Sequence, residues 1–254
     1  KPRQHSWSFL RRFLVEYDAA VFSLPGFAHR LPIPQFLISP SIDPLSEKNR
    51  PMSRLEMQQI LQRLGIPQDK PILLQLARFE WFKDPIGAIK AYRLVKKHQD
   101  CRLILAGSGV MHDPEGEAVL AEVQEAVAND PDIHVLQLPP EADLEINALQ
   151  RAATIIFQKS IKEGFSLAVT EAMWKGKPVI GSTAGGLAAQ ILDGVTGYIV
   201  HSAEGVAFRA RHLLNNPSSI QRMGGAAREY VRRNFLITRH LSDYLTLMKL
   251  FVKR

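Results

Sequence analysis

The sequence predicts an α/β protein built on one complete, doubly wound parallel sheet with helices on both faces, and three observations carry the prediction. Short, mostly apolar runs recur along the 254 residues, too uniform for strands with one wet face and too short for buried helices. Stretches with helical spacing of apolar residues separate them. Pro, Gly, Asn and Asp mark the junctions. With 46% apolar and 22% charged residues, the chain can bury an ample core.

In chain order, Trp7, Leu10, Leu14 and Tyr17 share one helical face, and Ala19 to Leu24 reads as a short buried strand ended by Pro25-Gly26. A second short strand, Phe36 to Ser39, runs into Pro40-Ser-Ile-Asp-Pro44 and a polar stretch up to Pro51 that reads as a linker. A boundary near residue 45 therefore divides a segment 1–45 from a domain 46–254. In that domain strands are expected at 71–77, 101–106, 133–136 and 153–157, with helices at 85–97, 115–128, 142–151 and 167–175. After Pro178 to Gly181 and Gly197 to Val200 the remainder reads as helical. Asn216-Pro217 starts one helix and Asn234-Phe235 bends the chain into the last. No internal repeat or low-complexity segment is visible.

Lys and Arg outnumber Asp and Glu by 32 to 25, giving +7 spread along the chain without like-charge runs. That balance suits a phosphate-bearing ligand. Nucleic acid is not expected, because no helix–turn–helix, RNP or zinc pattern accompanies the charge. The single cysteine, Cys101, precludes an internal disulfide and a cysteine metal cluster, and is read as a buried small hydrophobe. The histidines lack metal spacing, so no metal site is expected. With no long apolar run and no signal peptide, a cytoplasmic protein without membrane contact is expected.

The chemistry concentrates in Glu163-Gly-Phe-Ser-Leu-Ala-Val-Thr-Glu171. Two carboxylates eight positions apart bracket a glycine turn and the first turns of a helix, where N–H groups point outward, a cradle for anions and sugars. Arg78 and Lys83 fall in the loop after the first strand of the domain, at the sheet edge where open α/β folds bind ligands. Ala106-Gly107-Ser-Gly109 follows the next strand, a weak signal alone. No Gly-x-Gly-x-x-Gly opens the domain's first helix, which argues against a dehydrogenase, and no Gly-x-Ser-x-Gly points to a serine hydrolase. The bland readings are basic residues in solvent, acids near a helix start, and an Asp193-Gly-Val-Thr-Gly197 turn, this last being preferred for Asp193.

With its flanks Gln158-Lys-Ser-Ile-Lys-Glu-Gly-Phe and Ala172-Met-Trp-Lys-Gly-Lys-Pro-Val-Ile-Gly, and with Ser41-Ile-Asp-Pro-Leu-Ser-Glu-Lys-Asn, this stretch resembles the E-x7-E signature of retaining glycosyltransferases of the GT-B type, family 4. Within that family it looks most like the trehalose-forming glycosyltransferring synthases. The resemblance covers almost the whole chain, which in turn covers about the C-terminal two-thirds of a family enzyme. It implies that residues 1–45 are the tail of an acceptor-side domain and 46–254 the donor domain.

By the same resemblance, Arg78 and Lys83 hold the donor diphosphate and Glu163 a donor-sugar hydroxyl. Gly164 and the N–H groups of Phe165, Ser166 and Leu167 meet sugar and phosphate, and Glu171 binds the ribose. Gly107 and Gly109 lie near the donor, Thr183-Ala-Gly-Gly186 near the sugar, and Leu138 where the base is met by backbone. The implied reaction is a retaining transfer of glucose from a UDP- or ADP-type nucleotide diphosphate glucose to glucose, giving trehalose without a cofactor. Two alternatives stay open, a trehalose phosphorylase and a non-catalytic nucleotide-sugar-binding fragment. An apolar face including Trp7 and Phe13 suggests a homodimer or association with a partner chain.

Overall fold

The computed structural model describes residues 2–108 and 114–252. An amino-terminal helix α1 (Pro2–Leu14) leads to β1 (Ala20–Phe22) and β2 (Gln35–Leu37), which pair in parallel in a sheet of their own. The main domain follows as α2 (Arg54–Arg63), β3 (Ile72–Leu76), α3 (Pro85–Lys96), β4 (Arg102–Ser108), α4 (Pro114–Val127), β5 (Ile133–Leu138), α5 (Asp143–Ala152) and β6 (Ile155–Gln158). It continues with α6 (Leu167–Trp174), β7 (Val179–Ser182), α7 (Gly185–Gln190), β8 (Gly197–Val200), α8 (Ala203–Leu214) and α9 (Pro217–Asn234). The last helix, α10 (Ile237–Val252), returns to the amino-terminal segment. There Arg239 Nη2 donates to the Ser39 carbonyl at 2.7 Å, and the Phe36 and Phe251 rings meet edge-on at 6.3 Å.

The six strands of the main sheet are all parallel, in the order β5-β4-β3-β6-β7-β8. The chain winds outward from β3 to β5, then returns to lay β6 beside β3 and winds the other way. The carboxyl ends of β3 and β6 therefore flank the crevice where the winding reverses, the place such sheets offer to a ligand. Strands β3 and β6 are buried throughout, as a sheet covered on both sides demands. On one face Ala88, Tyr92 and Val95 of α3, Val123 of α4 and Ala210 and Leu213 of α8 pack on Leu73, Leu103 and Phe157. On the other, Leu61 of α2, Leu149 of α5, Met173 of α6, Leu187 of α7 and Val231 of α9 pack on Leu74, Ile104 and Ile156. Removing one such Leu side chain costs about 2–5 kcal/mol.

At the amino ends of β3, β4 and β5 the sheet is closed by a charge network. Asp132 accepts from Lys70 at 2.8 Å, Lys96 at 2.6 Å and Arg102 at 3.2 Å, while Asp69 holds Arg102 at 2.8 Å and Asp100 holds Lys70 at 3.2 Å. Lys96 also pairs with Asp100.

The expected elements appear, with differences at their ends. Tyr17 lies beyond α1, which stops at Leu14, and is 64% exposed, so it does not share a helical face with Trp7. Helix α4 ends where Ala128 and Asn129 take positive φ of 49° and 61°, which breaks the helical path. The linker reading to residue 51 omits α2, although Ser53 caps it by accepting from Glu56 N–H at 3.1 Å. Ser53-x-x-Glu56 is a capping-box pattern that could have found it. Cys101 is buried and free, and Asp193 serves its turn by accepting from Ile199 N–H at 2.8 Å. Among the described residues no helix is long and apolar enough to cross a membrane.

Candidate active site at the carboxyl edge of the sheet

Two loops form the crevice, one after β3 and one after β6. They are joined by backbone, with Ile161 N–H donating to the Phe82 carbonyl at 2.7 Å. Across the junction Lys83 Nζ meets Glu163 Oε2 at 2.7 Å, with the side chains only 14% and 8% exposed. The same carboxylate oxygen accepts from Ser160 Oγ at 3.2 Å. Gln75 Nε2, from β3, donates to the Lys83 carbonyl at 3.0 Å and fixes the lysine's backbone. A second pair ties the loops together: Lys159 Nζ donates at 3.0 Å to Asp84 Oδ2, while the other oxygen of Asp84 caps α3 through Gly87 N–H at 2.9 Å. The sequence reading missed Lys159, Ser160 and Asp84, although Asp84-Pro85 at a helix start was a legible cap signal.

Arg78 reaches Glu80 at 2.6 Å with 67% of its side chain exposed, so it borders the crevice from the solvent side. Three buried acceptors near these pairs have no partner among the described residues: Gln75 Oε1, Glu80 Oε2 and Gln158 Oε1. Unpaired buried acceptors are costly and often mark unfinished coordination.

The start of α6 is held from below. Gln190, fully buried, accepts from Ser166 N–H at 2.8 Å and donates to the Ser166 carbonyl and to Thr170 Oγ1, each at 2.8 Å. This corrects the expectation for Ser166, whose N–H is spent inside the protein and whose hydroxyl caps Val169 N–H. The N–H groups of Phe165 and Leu167 have no partner among the described residues. The Phe165 ring turns inward against Phe235 at 5.5 Å, and Leu167 is 47% exposed. The 163–165 loop is seated on Gly186, whose N–H donates to the Glu163 carbonyl at 3.0 Å. A Cβ on Gly186 would lie 1.9 Å from the Gly164 carbonyl oxygen, so only glycine fits. A Cβ on Gly164 itself would meet nothing nearer than the Phe27 ring at 3.8 Å, which leaves its outer side open.

Glu171 stands apart from Glu163. It is buried on α6, and desolvation pushes its carboxyl up from the usual range, opposed by the charges of Lys175 and Lys48. Burial likewise pulls the Lys175 ammonium down. Lys175 is satisfied by Asn49 Oδ1 at 2.9 Å and Gln150 Oε1 at 2.7 Å. Gly107 has a packing reason for being glycine, since a Cβ would lie 1.9 Å from the Ala77 carbonyl oxygen. Leu138 ends β5 with a buried side chain, and β5 is an edge strand with one side of its backbone unpaired within the sheet. Gly109 lies outside the described residues.

Residues 56–230 match the family model described as glycosyl transferases group 1. The trehalose synthase of Pyrococcus horikoshii is 41% identical over 255 residues, covering 97% of this chain and 60% of that protein. A trehalose phosphorylase of Grifola frondosa is 32% identical over 168 residues, 61% of this chain and 22% of its own length. This chain thus spans about 60% of the curated synthase it matches. Among solved structures, a glycosyltransferase of Rickettsia africae superposes with a TM-score of 0.83 at 20% identity, over 98% of this chain and 68% of that one. The HepE protein of Anabaena in complex with UDP-glucose superposes with a TM-score of 0.79 at 16% identity, over 98% of this chain and 69% of its own. The fold is that of the GT-B glycosyltransferases, and the chain belongs to the group 1 glycosyl transferases.

Proposed function

We propose that this chain is the donor-binding part of a retaining glucosyltransferase that moves glucose from a nucleoside diphosphate glucose to glucose, forming trehalose. The observation that carries the reading is the Lys83–Glu163 pair, 2.7 Å long and nearly buried, spanning the crevice between β3 and β6. The similarity to trehalose synthase over nearly the whole chain supports the choice of product. An ammonium has three protons to give, so Lys83 can keep Glu163 while donating to a diphosphate. Glu163 would accept from a sugar hydroxyl, and Arg78 and the open N–H groups of Phe165 and Leu167 would meet the diphosphate. Fixed positive groups aimed at a leaving diphosphate are the main catalytic device available to such a site, and no metal is required of it. In the transfer, the bond from the anomeric carbon to the phosphate oxygen breaks as the acceptor oxygen bonds the same face. The acceptor's proton passes to the departing phosphate.

The buried carboxyl of Glu171 is assigned to the ribose hydroxyls, and the backbone near Leu138 to a uracil or adenine base. The acceptor is assigned to groups outside this chain. Association would use the exposed apolar residues of α1 and α10, including Phe9, Phe13, Leu241 and Leu245, with a further domain or a second copy. Light scattering separates that from a monomer. The free thiol of Cys101 suits a cytoplasmic setting.

Calorimetric titration with UDP, ADP, GDP and their glucose conjugates tests the reading. A nucleoside diphosphate glucose should bind, and Arg78→Ala with Lys83→Ala should weaken it at least tenfold. Unchanged affinity in that double variant would sink the assignment. The similarity to trehalose phosphorylase supports a second reading, in which inorganic phosphate replaces the nucleotide at Arg78 and Lys83. Release of glucose 1-phosphate from trehalose and phosphate, with no nucleotide binding, would favour it.

A further inference from the structure

Lys83 and Asp84 are neighbours in the loop after β3, and they cross the crevice with opposite charges. Lys83 meets Glu163, and Asp84 Oδ2 accepts from Lys159 at 3.0 Å, with both lysine side chains only 14% exposed. Asp84 holds an unusual conformation in doing so. It caps α3 from the left-handed region, at φ 50° and ψ 53°, where caps ordinarily take extended backbone and residues other than glycine are uncommon. Its carboxylate fills the space over Gly87, where a Cβ would come within 2.1 Å of Oδ2. Oδ1 takes the Gly87 N–H at 2.9 Å, which is all that capping requires. Oδ2 is left to reach Lys159 on the other loop. A strained residue with one bond more than its local role needs points to function.

On the far side, Lys159 sits between two residues that serve Glu163. Ser160 Oγ donates to Glu163 Oε2 at 3.2 Å and accepts from Gln158 Nε2 at 2.9 Å, while Ser182 Oγ holds the Ser160 carbonyl. Lys83 is gripped by its backbone, its N–H donating to the Glu80 carbonyl at 2.9 Å and its carbonyl accepting from Gln75 Nε2. The side chains of Lys83 and Glu163 are the parts a sugar diphosphate would draw on, so their mutual pair weakens as the ligand arrives. The pair of Lys159 with Asp84 is not called on in that event and keeps the two loops in register.

We propose that Lys159, through Asp84, is a positioning residue for the donor, setting the loop separation at which Lys83 and Glu163 reach the diphosphate and the sugar together; this rests on the donor-binding reading of the crevice. A shift of about 1 Å between the loops would be felt by groups that must meet one ligand from both sides. Contacts to ribose and base, assigned to Glu171 and to the backbone near Leu138, would not feel it.

The test is calorimetric titration of the native chain, Lys159→Met and Asp84→Asn with UDP-glucose and ADP-glucose, and by competition with UMP and AMP. Asparagine caps helices and tolerates the left-handed region, so Asp84→Asn breaks the pair while keeping the start of α3, even if Lys159→Met does not fold. Each variant should bind the nucleotide glucose roughly tenfold more weakly and the monophosphate within about twofold of the native chain. In a Lys83→Gln background, Lys159→Met should add less than about twofold, because a residue that acts through Lys83 has nothing left to place. Equal losses for both ligands, or a full further loss in the Lys83→Gln background, would make the pair a structural tie and overturn the proposal. Unchanged nucleotide-glucose affinity in both single variants would overturn it alone, whereas a native chain that binds no nucleotide glucose would remove the donor reading and the proposal with it.

Discussion

The two ends of the central sheet carry similar charges and connect them differently. At the amino edge Lys70, Lys96 and Arg102 face Asp69, Asp100 and Asp132, and every member of the set is bonded to another. At the carboxyl edge Lys83, Lys159 and Arg78 face Glu163, Asp84 and Glu80 as three separate pairs. The network cross-links the starts of three strands, and the groups left without a partner there among the described residues are the Arg102 Nε donor and His134 Nε2, a ring nitrogen that donates or accepts according to tautomer. The separate pairs leave buried acceptors on Gln75, Glu80 and Gln158. Shared acceptors hold a fold together, while isolated pairs beside unfilled acceptors keep capacity for a ligand.

The largest effect should come from breaking the network. In Asp132→Asn three cations lose their common acid, among them Arg102, only 5% exposed, and denaturant unfolding should show a loss of about 3 kcal/mol. Nucleotide-sugar affinity of the folded variant should be unchanged. Desolvation pushes the Asp132 carboxyl up, yet its bonds to Lys70 and Lys96 win and hold it at about 2. A carboxyl lowered in the folded state stabilises above its unfolded value, about 3.9, and that contribution disappears as pH falls from about 4 to about 2. Thermal melting followed against pH should show this acid loss in the native chain and a shallower one in Asp132→Asn. Equal stability of the two proteins at pH 7 would break the contrast between the edges.

Gly186→Ala comes next. Its Cβ would sit 1.9 Å from the Gly164 carbonyl oxygen, a backbone atom that cannot swing aside, so the 163–165 loop must move. Overpacking of this kind costs about 1–3 kcal/mol, and nucleotide-sugar affinity should fall more than tenfold in the same protein. Lost stability with unaltered affinity would mean that this loop does not touch the ligand.

Glu163→Gln is gentler, because the amide oxygen can still accept from Lys83. A stability change of about 1 kcal/mol and a roughly tenfold loss of affinity are expected, the reverse of the pattern at Asp132. A double-mutant cycle with Lys83→Gln measures the coupling, and a coupling energy near zero would remove the pair from the site.

Much of this contrast was legible in the residues before any coordinates. Short, mostly apolar runs such as Ile72 to Leu76, broken only by Gln75, point to a buried parallel strand, and the loops that follow such runs carry Arg78, Lys83 and Glu163. The pairings were not legible, because they join residues far apart in the chain. Lys83 finds Glu163 80 positions on, and Lys159 finds Asp84 75 positions back. The clamp of Gln190 on Ser166 was hidden for the same reason, and with it the loss of one expected N–H donor. Local signals did exist for α2 and for the α3 cap, where Ser53-x-x-Glu56 and Asp84-Pro85 state their geometry within a few residues.

The smallest expected change in stability belongs to Glu171→Gln, and it separates function from folding within the carboxyl half of the site. Burial raises the Glu171 carboxyl, so in the native chain its contribution is present at low pH and is lost as pH rises through the raised folded value. Glutamine keeps the size of the side chain while leaving Lys175 bonded to Asn49 and Gln150. The variant should lie within about 1 kcal/mol of the native chain at pH 7. Only the native chain should gain stability from Glu171 on mild acidification. Lys175, pulled down by its own burial and held up in part by the Glu171 charge, loses that support in the variant, so the difference between the two melting curves reports the pair. Nucleoside diphosphate affinity should nevertheless fall about tenfold, since an amide oxygen is a poorer acceptor for two ribose hydroxyls than a carboxylate. A variant that melts several degrees lower and binds normally would make Glu171 a structural acid, and the division between the two edges would then fall inside α6.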